Sequence, residues 1–169
     1  MDLSLVHNVL AALTPPIEGV SIENAADYSS WTIWRDGMTI KLTDDAPALA
    51  VAQGPIMAVA LAVPDPSAGI QITSTSNSAL NGTYAIDPTT QNKLTSIAAY
   101  VAVNQKFPAG QATLAWPDAA GVLHQGFTTS QFLALGSVIA DYVTGVELAR
   151  TLLSTGNLAE WPATSVTIS

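Results

Sequence analysis

The sequence predicts an α+β fold: an N-terminal helix plus a small β-hairpin module, then a C-terminal strand–helix–β-hairpin–long helix–strand module. Three observations carry this prediction. Apolar residues recur at three- and four-residue spacing near the start of the chain, after Pro88 and after Thr128. Short β-rich runs flank turn sequences, Asp36-Gly37 in one place and Pro117-Asp-Ala-Ala-Gly121 in another. Capping residues stand where the helical patterns begin, with Asp87 before Pro88 and Thr128 three residues before Gln131.

Residues 3–13 read as a short helix. Leu3, Val6, Leu10 and Leu13 share one face, and Pro15 with Pro16 stops the pattern. Strand-like runs follow at 19–22, 31–35 and 39–42, the last two joined through Asp36 and Gly37 as a hairpin. Trp31, Ile33 and Arg35 are expected on one face of that hairpin, Thr32 and Trp34 on the other. The Ala-rich stretch 46–63 favours helix. Pro55 has no N–H for residue 51 and crowds that turn, so a helix over about 55–62 is expected, with a kinked turn before it. A buried strand over 56–63 is the alternative.

These segments form a first module over 1–66, which is expected to dock or oligomerise. Pro, Gly, Ser and Thr dominate 67–80, which reads as a linker around a brief strand at 70–72. The second module covers 81–169. Asn81 and Gly82 read as a turn and 83–86 as a strand. Asp87 then caps a helix that begins at Pro88 and ends before Phe107. Runs 111–116 and 122–125 form a hairpin. The last helix opens on a capping box, Thr128 with Gln131, and a hydrophobic staple, Phe127 with Phe132. Phe132, Leu135, Ile139, Tyr142, Val146, Ala149 and Leu153 then make an a/d seam, and Thr155-Gly156-Asn157 closes the helix. The small Ala149 and polar-edged Tyr142 suit packing within the chain, the alternative being that part of the seam meets another subunit. Residues 166–168 read as an edge strand.

The chain has 169 residues, no cysteine, and 13 acidic against 5 basic residues, for a net charge of −8. Arg35, Lys41, Lys93, Lys106 and Arg150 are scattered, so there is no basic patch to neutralise phosphates, and nucleic acid is not an expected partner. Cysteine's absence removes disulfides, thiolate nucleophiles and zinc–thiolate sites. Only 11% of residues are charged and 49% are apolar, below the roughly 25–35% charge of a well-solvated surface. Such a chain suits packing against partners, or an ordinary Ala-rich monomer. No leader is expected where Met1 is followed by Asp2, and no membrane insertion across 46–63, where Pro47, Gln53, Gly54 and Pro55 interrupt the apolar run.

No residue set has the spacing of an active site. His7 and His124 lack clustered carboxylates, and no Gly-x-Ser-x-Gly elbow or phosphate-cradling glycine loop occurs. Asp44 and Asp45 read as helix-start charges, and Asp118 as a turn residue. No enzyme activity, catalytic residue, cofactor or metal is therefore expected. The candidate interface residues are Trp31, Trp34, Trp116 and Trp161, which are core or interface anchors or else a glycan surface, together with Phe132 and Tyr142 of the seam.

Several stretches carry a resemblance. They are Asn81-Gly-Thr-Tyr-Ala-Ile-Asp-Pro88, Trp116-Pro-Asp-Ala-Ala-Gly-Val-Leu-His124, Phe127-Thr-Thr-Ser-Gln-Phe132, Asp141-Tyr-Val143 and Trp161-Pro-Ala-Thr-Ser-Val-Thr-Ile168. Together with Pro16-Ile-Glu-Gly-Val-Ser-Ile22 and Trp31-Thr-Ile33, they resemble a domain of unknown function in small proteins of tailed bacteriophages and prophages, often near or within tail-fibre genes. The match is weakest over 43–80, where Ala52-Gln-Gly-Pro55 interrupts the helix that relatives carry. The resemblance implies a virion tail protein, made in the host cytoplasm, that oligomerises with itself and docks onto other tail or fibre proteins. A fibre-assembly chaperone and a host-surface glycan-binding module are the alternatives it leaves.

Overall fold

Aspartates start three of the five helices. The computed structural model describes the backbone of residues 1–169 and every side chain except that of Pro66. In it Asp2, Asp45 and Asp87 each turn a carboxylate back onto the free amides at the start of α1 (Leu3–Ala11), α2 (Ala46–Ala52) and α4 (Pro88–Asn104). Two compact units result, one comprising Met1–Val63 with Val146–Trp161, the other Pro64–Gly145 with Pro162–Ser169. The division is thus not sequential. Residues 146–161 go with the N-terminal unit, although the sequence reading placed them in an 81–169 module.

In the first unit α1 buries Leu5, Val6, Val9 and Leu10. Strands β1 (Gly19–Ile22), β2 (Trp31–Arg35) and β3 (Met38–Lys41) form an antiparallel sheet in that order. Asp36 and Gly37 link β2 to β3 with φ of 53° and 71°, the left-handed pair that a two-residue hairpin requires. β2 alternates as expected: Trp31 and Ile33 are fully buried, whereas Thr32 and Trp34 lie on the opposite face. Arg35 ends the inner row and is paired with Asp45, which also caps α2. One carboxylate thus compensates a buried guanidinium and orders a helix start.

The 46–63 stretch resolves into two helices. α2 stops at Gln53, and α3 (Pro55–Leu61) starts with Pro55 at its first turn, where a missing N–H is harmless. The helix expected over 55–62 is therefore present, the kinked turn before it is a helix of its own, and the strand alternative is not adopted. Ala149 and Leu153 complete this unit's core beside Trp31, Leu42 and Met57.

The second unit holds a mixed sheet in the order β5-β4-β8, from β4 (Ile70–Ser74), β5 (Gly82–Tyr84) and β8 (Ser165–Ile168). β5 runs antiparallel to β4, and β8 runs parallel to it. The span 67–80, read from its composition as a linker, therefore carries the sheet's central strand. Ile70 and Ile72 are fully buried, and partners on both sides satisfy the β4 backbone, so few apolar residues suffice. β8 is an edge strand, as expected. Gly82 belongs to β5 rather than to a turn, while Asn81 accepts a hydrogen bond from the Ser74 amide at 2.7 Å. β6 (Leu114–Pro117) and β7 (Leu123–Phe127) form the expected hairpin, with a bulge between Leu114 and Trp116.

The longest helix, α5 (Thr129–Ser154), contributes residues to both units. Its capping box is closed in both directions: Gln131 accepts from the Thr128 amide at 3.0 Å, and Thr128 Oγ1 accepts from the Gln131 amide at 3.3 Å. Phe127 and Phe132 meet with ring centroids 6.2 Å apart, which is the staple. At the far end Asn157 donates to Leu152 and Gly156 to Leu153, the two bonds of a Schellman stop, with Gly156 at φ 78°. Phe132, Leu135, Ile139, Tyr142, Ala149 and Leu153 of the seam are buried within this single chain.

The capping carboxylates make stability acid-sensitive. Burial pushes the Asp2 carboxyl up, but the Leu5 and Ser4 amides and the Arg150 guanidinium outweigh it and hold its pKa below the ordinary aspartate value. Ser29, Ser67 and Thr90 hydroxyls and nearby amides do the same for Asp27, Asp65 and Asp87. A depressed folded-state pKa contributes stability that is complete above the unfolded value, near 3.9, and lost as pH falls through the folded value. Thermal melts are expected to hold a plateau above about pH 5 and to fall steeply below about pH 4.

Candidate functional site

Burial separates the six aromatic candidates. Trp31 and Phe132 are 0% exposed, Tyr142 4% and Trp116 7%. These four are core residues in their own units, and reading them as interface residues is corrected on that ground. Phe132 stands among Phe107, Trp116 and Phe127, all edge-on to it. Trp161 is half-buried, and its indole N–H donates to the Val59 carbonyl at 2.8 Å. Trp34 differs, at 37% exposed.

The outer face of the three-stranded sheet surrounds Trp34. Antiparallel register sets Gly19 and Thr39 on either side of it, and Ser21 and Lys41 on either side of Thr32. A Cβ on Gly19 would stand 3.0 Å from Trp34 Cε3, so the indole lies close against the Gly19 backbone. The result is one aromatic plate on a bed of short hydroxyl side chains. Large amphipathic rings of this kind anchor protein interfaces, because they bring contact area with little rotamer entropy to lose.

Asp118, His124 and Tyr84 of the second unit fasten the hairpin to the segment beside it. Hairpin register pairs Trp116 with His124, which brings Asp118 at the turn within reach of the ring. Asp118 Oδ2 lies 3.2 Å from His124 Nε2, and the Ala79 carbonyl lies 2.8 Å from Nδ1. Both ring nitrogens are therefore engaged. Burial pushes the Asp118 carboxyl up, but the Val122 and Ala120 amides and His124 outweigh it and draw its pKa down. The His124 ring also lies over β5, where a Cβ on Gly82 would fall 2.7 Å from Nε2. Beside it Tyr84 donates to the Leu80 carbonyl at 2.6 Å, and burial raises that phenol's pKa. Sequence reasoning took Asp118 and His124 separately. The signal it missed was an acid and a histidine placed across one tight hairpin.

Among the described residues, no group of three or more His, Cys, Asp or Glu is placed to hold a metal ion. Among them also, α5 is long and apolar enough, by length and composition, to cross a membrane, and 28% of its apolar window is buried in the fold. No protein-family model, curated protein or solved structure matches the chain. What fold and site define is an α+β scaffold with an exposed tryptophan, Trp34, on the outer face of its first sheet.

Proposed function

We propose that this protein is a virion component of a tailed bacteriophage, a tail-fibre or fibre-attachment subunit that works by oligomerising and docking. The observation that carries the reading is Trp34, a large aromatic left on an open sheet face while Trp31 and Trp116 are sealed in cores. The low charge density supports it, since only 11% of residues are charged. So does the resemblance of the 81–132 and 161–168 motifs to small phage tail proteins.

The test is mass spectrometry of purified phage particles from cells that express the chain, with light scattering on the isolated protein. The chain is expected in the particles in several copies, and self-associated in solution. A strictly monomeric protein that is abundant in the lysate and absent from the particles would contradict this and fit an assembly chaperone instead.

A further inference from the structure

Strand edges in this protein are guarded unequally. An edge strand offers unpaired N–H and C=O groups to any other strand, and proteins blunt it with charge, proline or a covering segment. Glu18 and Glu23 flank β1, Lys41 ends β3 and Pro117 ends β6. The turn after β6 covers β5, where the Ala119 amide donates to the Thr83 carbonyl at 2.7 Å. The 78–80 segment packs against β7. β8 has none of these guards. Its run Ser165-Val-Thr-Ile168 is uncharged and rich in β-branched residues. Toward β4, the Gln71 amide donates to the Thr164 carbonyl and the Thr75 amide to the Ile168 carbonyl, both at 2.9 Å. Parallel pairing uses alternate residues, so Val166 and Ile168 bond β4 while the amides and carbonyls of Ser165 and Thr167 point away from it. Both residues are exposed, and among the described residues no backbone group pairs with that outer row.

The outer row fits one kind of occupant, an extended strand. Charge and pattern select which strand. The chain carries a net charge of −8, so two copies repel over most of their surface. Residues 161–169, however, hold no Asp, Glu, Lys or Arg side chain, so two copies meet there without like charges opposed. The run is also self-complementary. With Val166 facing its own copy, Ser165 of each chain stands opposite Thr167 of the other, and the outward amides and carbonyls find partners across the axis. Valine then packs on valine, and Ser165 on Thr167, a favourable cross-strand pair. We propose that β8 pairs antiparallel with β8 of a second copy about a twofold axis centred on Val166, joining two three-stranded sheets into one continuous sheet. The proposal rests on the self-association proposed above and gives it a surface separate from the Trp34 face.

Sedimentation velocity on the isolated chain tests it, from about 10 µM to about 1 mM, the range of weak interfaces. The wild-type chain is expected to pass from monomer to dimer across this range. Thr167→Pro removes only an outward N–H, which an edge strand tolerates. Thr167→Lys places a guarding charge on an exposed residue. Each is expected to weaken dimerisation at least about tenfold, with the wild-type circular dichroism spectrum retained. The chain has no cysteine, so Val166→Cys under mild oxidation reads the register. Facing residues of a non-hydrogen-bonded pair stand about 4.5 Å apart at Cα, within disulfide reach. Val166→Cys is therefore expected to link into dimers, and Ser165→Cys to link far less. Three results would overturn the proposal: a wild-type chain monomeric at the highest concentration, folded Thr167→Lys dimerising as the wild type does, or Ser165→Cys linking as readily as Val166→Cys. Dimers persisting in folded Thr167→Lys strike the β8 edge alone, whereas absence of the chain from particles strikes the tail-subunit reading alone.

Discussion

Phe132→Ala is expected to lose about 3–5 kcal/mol of stability, measured by urea unfolding. The ring is fully buried and sits at the meeting point of three aromatic neighbours. Trp116 is 5.3 Å from it centroid to centroid, Phe107 5.7 Å and Phe127 6.2 Å, all close to perpendicular. Each such pair is worth about 0.5–1.5 kcal/mol beyond the area it buries, and truncation forfeits all three while leaving a cavity. The same ring closes the staple at the start of α5, so the helix start loosens as well. Against a typical total of about 5–15 kcal/mol, the variant is left near the edge of folding. Phe132→Leu, which refills most of the volume, is expected to lose clearly less. Equal losses for the two variants would contradict the central place given to this ring.

Gly69→Ala is expected to cost about 3 kcal/mol or more, although it adds a single methyl group. Gly69 has φ of 71°, where an L side chain is strained. An added Cβ would lie 2.6 Å from the Tyr84 carbonyl oxygen. That oxygen belongs to the backbone of β5, opposite Ile70, so relief requires the β4–β5 pair to move apart. Gly121 is the control: its φ is 82°, but a Cβ there meets nothing within 4 Å. Gly121→Ala therefore carries the conformational strain without the clash, and is expected to cost about 1 kcal/mol. The difference between the two, read from urea midpoints, isolates the contact.

Much of the fold was legible because its signals are local. Asp87 before Pro88, Thr128 with Gln131, Phe127 with Phe132, and Asp36 with Gly37 each act within a few residues, and each does in the structure what its chemistry predicts. The Ser/Thr-rich span around β4 misled because its strand is completed by Ser165–Ile168, a partner distant in sequence that no local pattern announces. Alternation told that Trp31 and Trp34 face opposite ways. Which face meets a core depends on Met57, Leu42 and Leu153, and only the folded unit brings those together. Tyr142 was noticed as a seam residue, and it is buried there.

Incorporation of Trp34→Ala into particles tests the proposed docking role of the Trp34 face directly. The side chain packs on the outer sheet face and not in the core cluster, so the variant is expected to lose about 1–2 kcal/mol and still to fold, which circular dichroism checks. Co-expressed with the wild-type chain and counted by mass spectrometry of purified particles, it is expected to be depleted at least tenfold, as loss of one interface hot spot implies. Equal incorporation of the folded variant and the wild-type chain would contradict the account.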